Sequence, residues 1–142
     1  KRAQELAEQS ARIMWAEDIA TRHVGMQLLA VSPGVSRLSM TIRPEFANGH
    51  GTCHGGYIFT LADSAFAVAC NSHNQKAVAA SAAIEFIAPA KVGDTLTAEC
   101  SERHRGGRSG LYDVRVTDQS NTLIALFRGR SATIRGQYVE DN

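Results

Sequence analysis

The sequence predicts an α+β domain in which one antiparallel β-sheet lies on, or curls around, a single long helix. Three observations carry this. The 142 residues are 44% hydrophobic, enough for one core, and a chain of this length buries roughly 70% of its unfolded surface. Tyr57 to Asn71 is an almost wholly apolar, alanine-rich run without Gly or Pro, which favours a helix. Two β-like runs precede it and four follow, joined by short turn signals that imply antiparallel neighbours.

The elements follow in order. Residues 3–21 set Leu6, Ile13 and Ile19 among charged neighbours, an amphipathic opening helix within a 1–22 helical segment. Met26 to Val31 is β-like, and Ser32-Pro33-Gly34 reads as a tight turn. Leu38, Met40 and Ile42 then alternate with Arg37, Ser39 and Thr41, completing a hairpin. Pro44 to Gly56 is too rich in glycine for a regular element. Beyond the long helix, strands are expected at Val78–Ile87, Thr95–Arg103, Leu111–Thr117 and Leu123–Ile134. Pro89, Gly93-Asp94, Gly106-Gly107 and Asp118 to Asn121 separate them. No repeat or linker divides the chain, so 1–142 is read as one domain. A single sheet on one helix leaves its edges open, which favours oligomerisation.

Composition excludes several functions. The formal net charge is +1, too little to steer the protein onto nucleic acid or an anionic membrane. The basic residues are unevenly spread: 101–135 holds seven arginines against Glu102, Asp113 and Asp118, a local excess suited to a phosphorylated small molecule. Cys53, Cys70 and Cys100 form no C-x-x-C pair and cannot all pair within one chain, which points to a reducing cytoplasm. No apolar run approaches the ~20 residues that span a bilayer. The opening twenty residues carry Glu5, Glu8, Glu17 and Asp18, unlike a signal peptide.

Asp63 is the most informative residue. Thr60, Asp63, Ser64, Ala67 and Asn71 form one stripe of an otherwise greasy helix, and such a stripe faces a cavity or a subunit seam. A carboxylate there is costly unless hydrogen-bonded, paired or protonated. Two readings fit: a structural Asp satisfied by backbone or interface partners, or a general base or nucleophile with a tuned pKa. His54-Gly55-Gly56 stands where the helix begins. Free N–H groups at a helix start hold a phosphate, a carboxylate or a developing oxyanion, though an ordinary glycine turn reads the same way. Cys53-His54 as thiol and base, and His50, Cys53 and His54 as metal ligands, both lack suitable spacing. Ser81 and Glu85 share one face of an alanine-rich strand. Arg103, Arg105, Arg108, Arg128 and Arg130 are either solvated surface or a phosphate clamp.

Gly55 and Asp63 are eight residues apart, roughly 12 Å along a helix. One carbonyl cannot have its oxygen at the first and be attacked by the second of the same helix. If both serve one reaction, the acid comes from a second, antiparallel copy, and the site lies at a two-fold interface.

The run Asn48 to Gly56, with Leu61-Ala62-Asp63, Ala65-Phe66-Ala67, Asn71-Ser72, Asp94 to Ala98, Tyr112-Asp113-Val114 and Ala125 to Gly129, resembles the hot-dog-fold acyl-CoA thioesterases. Within them it is similar to the branch acting on phenylacetyl-CoA in phenylacetic acid degradation. The likeness extends from about Gly25 to Arg135. It implies a sheet wrapped around the central helix, no metal or redox cofactor, and dimers pairing into tetramers with sites at the seam. Asp63 matches the catalytic carboxylate, Gly55 the N–H that polarises the thioester oxygen, and Asn48 the side chain that places nucleophile or water. Ser81 matches a hydroxyl near the reacting centre. His54, Gly56, Arg105, Gly107, Arg108, Ser109 and Arg130 fall where relatives bind substrate, the last five near the nucleotide end of coenzyme A. An acyl-CoA dehydratase on the same fold, using His54 with Asp63, and a non-catalytic acyl-CoA-binding protein are the alternatives. A substrate on acyl carrier protein also stays open.

Overall fold

The opening helix breaks in two. In the computed structural model, which describes residues 2–140, α1 (Arg2–Glu17) ends and α2 (Ile19–His23) begins at Asp18. Its Oδ1 accepts the Thr21 N–H at 3.0 Å. Aspartate is a poor helix interior residue and a good N-cap, so the continuous helix read over 3–21 divides there. Lys1, Asp141 and Asn142, included in the expected 1–142 domain, lie outside the described residues.

The hairpin follows as expected: β1 (Gln27–Ser32) and β2 (Val35–Thr41) meet at Pro33-Gly34. Gly34 adopts φ +74, and a Cβ there would stand 2.8 Å from Glu102 Cβ. Its N–H donates to Ser72 Oγ at 2.8 Å, tying the turn to the far end of the long helix. Gly34→Ala is therefore expected to cost about 1–3 kcal/mol, read as a lower melting temperature.

A 3₁₀ turn at Pro44–Phe46 interrupts the irregular loop, and the long helix, α3, runs over Gly55–Cys70. The remaining strands are β3 (Ala77–Phe86), β4 (Thr95–Gly106), β5 (Ser109–Thr117) and β6 (Leu123–Thr133). They form one antiparallel sheet in the order β1-β2-β4-β5-β6-β3. α3 touches every strand, the hot-dog arrangement that the resemblance implies. Ile58, Leu61, Ala65, Phe66 and Val68 of α3 are buried against inward residues such as Leu38, Leu96, Tyr112, Val114 and Phe127. Period-2 alternation in β2, β4, β5 and β6 thus meets an apolar helix, and both bury one face.

Two details differ from the sequence reading. The β4–β5 hairpin extends past Arg103 to a two-residue loop, Gly107-Arg108, where Gly107 at φ +59 supplies the left-handed turn position. β3 is an edge strand exposed on both sides, with Val78 and Phe86 47% and 53% exposed. An uncovered, alanine-rich edge of this length presents a row of free backbone groups.

Candidate active site

The start of α3 is built by His54. Its extended backbone places the ring over the first turn, where Nδ1 accepts the Gly56 N–H at 2.9 Å, and its carbonyl accepts the Tyr57 N–H. The helix therefore begins at Gly55, two residues before the run read from composition. The Gly55 N–H has no acceptor in the chain among the described residues.

Gly55 borders a cleft of about 380 Å³. One wall is Cys53, Gly55 and Ile58; the other is the turn from Phe86 to Ala90. Backbone bonds hold the walls in place, Cys53 N–H to Ala90 O and Ile87 N–H to Ile124 O, both 2.8 Å. Phe86 leans on the helix start: its Cζ lies 3.0 Å from where a Cβ on Gly55 would sit. Only glycine leaves both the ring and the N–H in place. Pro89 marks this turn in the sequence as a strand separator, but nothing in the Ile-Ala-Pro-Ala run shows that it walls a cleft.

Asp63 lies two turns further along α3, half-buried, with no hydrogen bond or ion pair to any described residue. Burial pushes its carboxyl above the usual carboxylate range. Thr60, Ser64 and Ala67 beside it are partly exposed, as the stripe predicted. Asn71 is not part of that open face: its amide bonds Ala67 O, the Ala77 N–H and the Tyr138 hydroxyl, so it caps the helix end. Asp63 is not a wall of the cleft at Gly55.

The other sequence candidates divide. Asn48 organises its own loop, its Oδ1 accepting the His50 and Thr52 N–H groups at 2.9 and 3.2 Å. Ser81 sits on exposed β3 opposite Arg130, on the sheet face away from its own α3. The arginines separate by partner. Arg103 and Arg128 both engage Asp113, Arg128 through two hydrogen bonds, whereas Arg105 donates to Gln75 at 3.1 Å. Arg108 and Arg130 have no partner among the described residues. Gly107 and Ser109 shape the hairpin tip that carries Arg108, and Arg108 with Arg135 borders a second cavity of about 330 Å³. Arg135 was counted in the basic excess but not singled out.

Two chemistries lose ground. Burial pushes the Cys53 thiol up to about 11, and its Sγ faces the His54 carbonyl rather than the ring. No three His, Cys, Asp or Glu side chains converge as metal ligands among the described residues. What remains is an apolar cleft lined by Gly55 at the helix start, with a carboxylate on the same helix that has no partner among the described residues. A free backbone N–H at a helix start can meet a developing oxyanion, and a carboxylate of this kind can take a proton.

Comparison with known proteins agrees. Residues 50–125 match the profile described as Thioesterase superfamily. The acyl-coenzyme A thioesterase PaaI of Escherichia coli K12 is 42% identical over 130 residues, spanning 92% of this chain and 93% of that protein. The solved structure of the E. coli PaaI protein from the phenylacetic acid degradation operon superposes with a TM-score of 0.93 at 40% identity, over 94% of this chain and 97% of that one. The Streptococcus mutans protein smu.793, solved bound to acetyl CoA, gives 0.76 at 26% identity, over 79% and 90%.

Proposed function

The chain belongs to the Thioesterase superfamily and is a thioester hydrolase, and we propose that it releases the free acid and coenzyme A from phenylacetyl-CoA and related aryl-acetyl thioesters. The observation that carries the site assignment is the free N–H of Gly55, a residue lining an apolar cleft, with Asp63, which has no partner among the described residues, roughly 12 Å away on the same helix. One chain holds two half-sites, and a second antiparallel copy completes each.

The thioester oxygen takes the Gly55 N–H. Asp63 of the second copy either attacks the carbonyl carbon or removes a proton from the water that does. Negative charge moves onto the oxygen, where the N–H and the α3 dipole oppose it. Collapse then breaks the carbon–sulfur bond and expels coenzyme A as thiolate, which takes up a proton. Where Asp63 has attacked, water then hydrolyses the acyl–Asp63 anhydride to the free acid and restores the carboxylate. The carboxylate alone is worth ~10²–10⁴ in rate as a general base. The Asn48 loop and Ser81 complete the surroundings; the exposure of β3, on which Ser81 lies, supports a place for its hydroxyl at the seam. Arg105, Arg108 and Arg130, around the Gly107–Ser109 turn, hold the phosphates of coenzyme A. The chemistry uses no metal or redox cofactor.

The uncovered β3 edge supports a dimer in which two copies pair along it, and dimers then associate into tetramers. Among the described residues no helix is long and apolar enough to cross a membrane; three buried free cysteines suit the reducing cytoplasm as the working compartment. The dehydratase reading requires His54 as an acid or base; its Nδ1 accepts the Gly56 N–H, so the neutral ring carries its proton on Nε2 and offers no base there.

The test is coenzyme A release from phenylacetyl-, acetyl- and decanoyl-CoA. The proposal expects phenylacetyl-CoA to have the highest kcat/KM. No release, or equal release from all three, would overturn it.

A further inference from the structure

The cleft beside Gly55 has one aromatic wall. Ile58, Ile87 and Pro89 are aliphatic, Cys53 contributes a thiol, and only Phe86 offers a ring. Its backbone is fixed, because Phe86 pairs with Ala125 and the next residue's N–H is bound to Ile124 O. Its side chain is not enclosed: the residue is 53% exposed and makes no ring contact with another aromatic group. A large apolar side chain is thus held rigidly at its root, with its tip on Gly55 and much of its surface unpartnered.

A thioester whose oxygen is on the Gly55 N–H is bound in register with that ring. In an aryl-acetyl group one methylene separates the carbonyl carbon from the ring, so a thioester held at Gly55 carries its ring into the space beside Phe86, whose ring edge lies against Gly55. Two aromatic rings there gain from offset or edge-to-face packing. A straight aliphatic chain fills the same space without the pairing geometry.

We propose that Phe86 is the residue that selects aromatic acyl groups, by packing its ring against the aryl ring of a thioester held at Gly55. The inference rests on the thioesterase reading of this site and adds to it the residue that sets acyl preference. Phe86 touches the acyl group, not the reacting atoms, so its effect is on discrimination between substrates.

The experiment compares kcat/KM for phenylacetyl-CoA, cyclohexylacetyl-CoA and hexanoyl-CoA in wild type, Phe86→Leu and Phe86→Tyr. Phe86→Leu is expected to lower the phenylacetyl-to-cyclohexylacetyl ratio by about three- to tenfold, the range of an aromatic pair. Phe86→Tyr retains the ratio because it retains the ring. A ratio unchanged in Phe86→Leu, with wild type active on phenylacetyl-CoA, would overturn this assignment alone. A wild type inactive on every thioester would overturn the function from which it starts. Circular dichroism of each variant separates loss of fold from loss of preference, and Phe86→Met, which also removes the ring, carries the same expected loss of ratio if Phe86→Leu fails to fold.

Discussion

Asp63→Asn is expected to lower turnover by ~10²–10⁴ while leaving the fold intact. The amide keeps the shape of the side chain and removes the group that takes a proton or attacks carbon. The stability side has a definite sign. Burial raises the Asp63 pKa in the folded chain above its unfolded value, and no described residue compensates the charge. A carboxyl so shifted favours folding below its unfolded pKa, and that contribution is lost as pH rises through the folded pKa. At neutral pH the ionised Asp63 is a burden, so Asp63→Asn is expected to melt at or above the wild-type temperature. Lost turnover with retained or higher melting temperature identifies a functional carboxylate. Lower melting temperature with turnover preserved would make Asp63 structural. The same shift places the acid limb of wild-type kcat/KM above the pH of an ordinary aspartate, since the ionised form is the working one.

Gly55→Ala is expected to lower kcat by about tenfold to hundredfold. The added methyl would stand 3.0 Å from Phe86 Cζ and 3.2 Å from Cε1. Either the ring moves or the first turn of α3 does. Moving the turn re-aims the N–H that meets the developing oxyanion. Moving the ring opens the cleft and changes acyl preference. The double variant Gly55→Ala/Phe86→Leu separates these. Recovery of kcat on an aliphatic thioester assigns the loss to crowding of the ring; no recovery assigns it to the displaced N–H. Wild-type turnover in Gly55→Ala would remove the Gly55 N–H from the mechanism.

Sequence made the site's reactive groups visible and its walls obscure. Asp63 stood out because a lone acid in an apolar helix breaks the pattern of its neighbours, and the structure leaves it unpartnered in this chain. The His-Gly-Gly start was legible for the same reason, since glycine pairs interrupt periodicity at the place where N–H groups are free. Phe86 was not legible. Its approach to Gly55 depends on β3 lying at the sheet edge beside β6 rather than next to β4, and strand order is set by long-range packing. The break at Asp18 was readable in principle from its capping chemistry, but the hydrophobic spacing continued through it. The arginines could be counted but not sorted, because only the register of β5 with β6 brings Arg128 onto Asp113 and leaves Arg130 without a partner among the described residues.

The central claim is that each site takes its N–H from one chain and its carboxylate from another. The most direct measurement mixes Asp63→Asn and Gly55→Ala proteins, dissociates them, lets the subunits reassort and records phenylacetyl-CoA hydrolysis. Random pairing makes half the dimers mixed, and each mixed dimer has one wholly wild-type site, so the account predicts recovery to about a quarter of wild-type activity. Activity that stays at the average of the two separate variants would contradict it, and would place Gly55 and Asp63 in the same chain's site or in none.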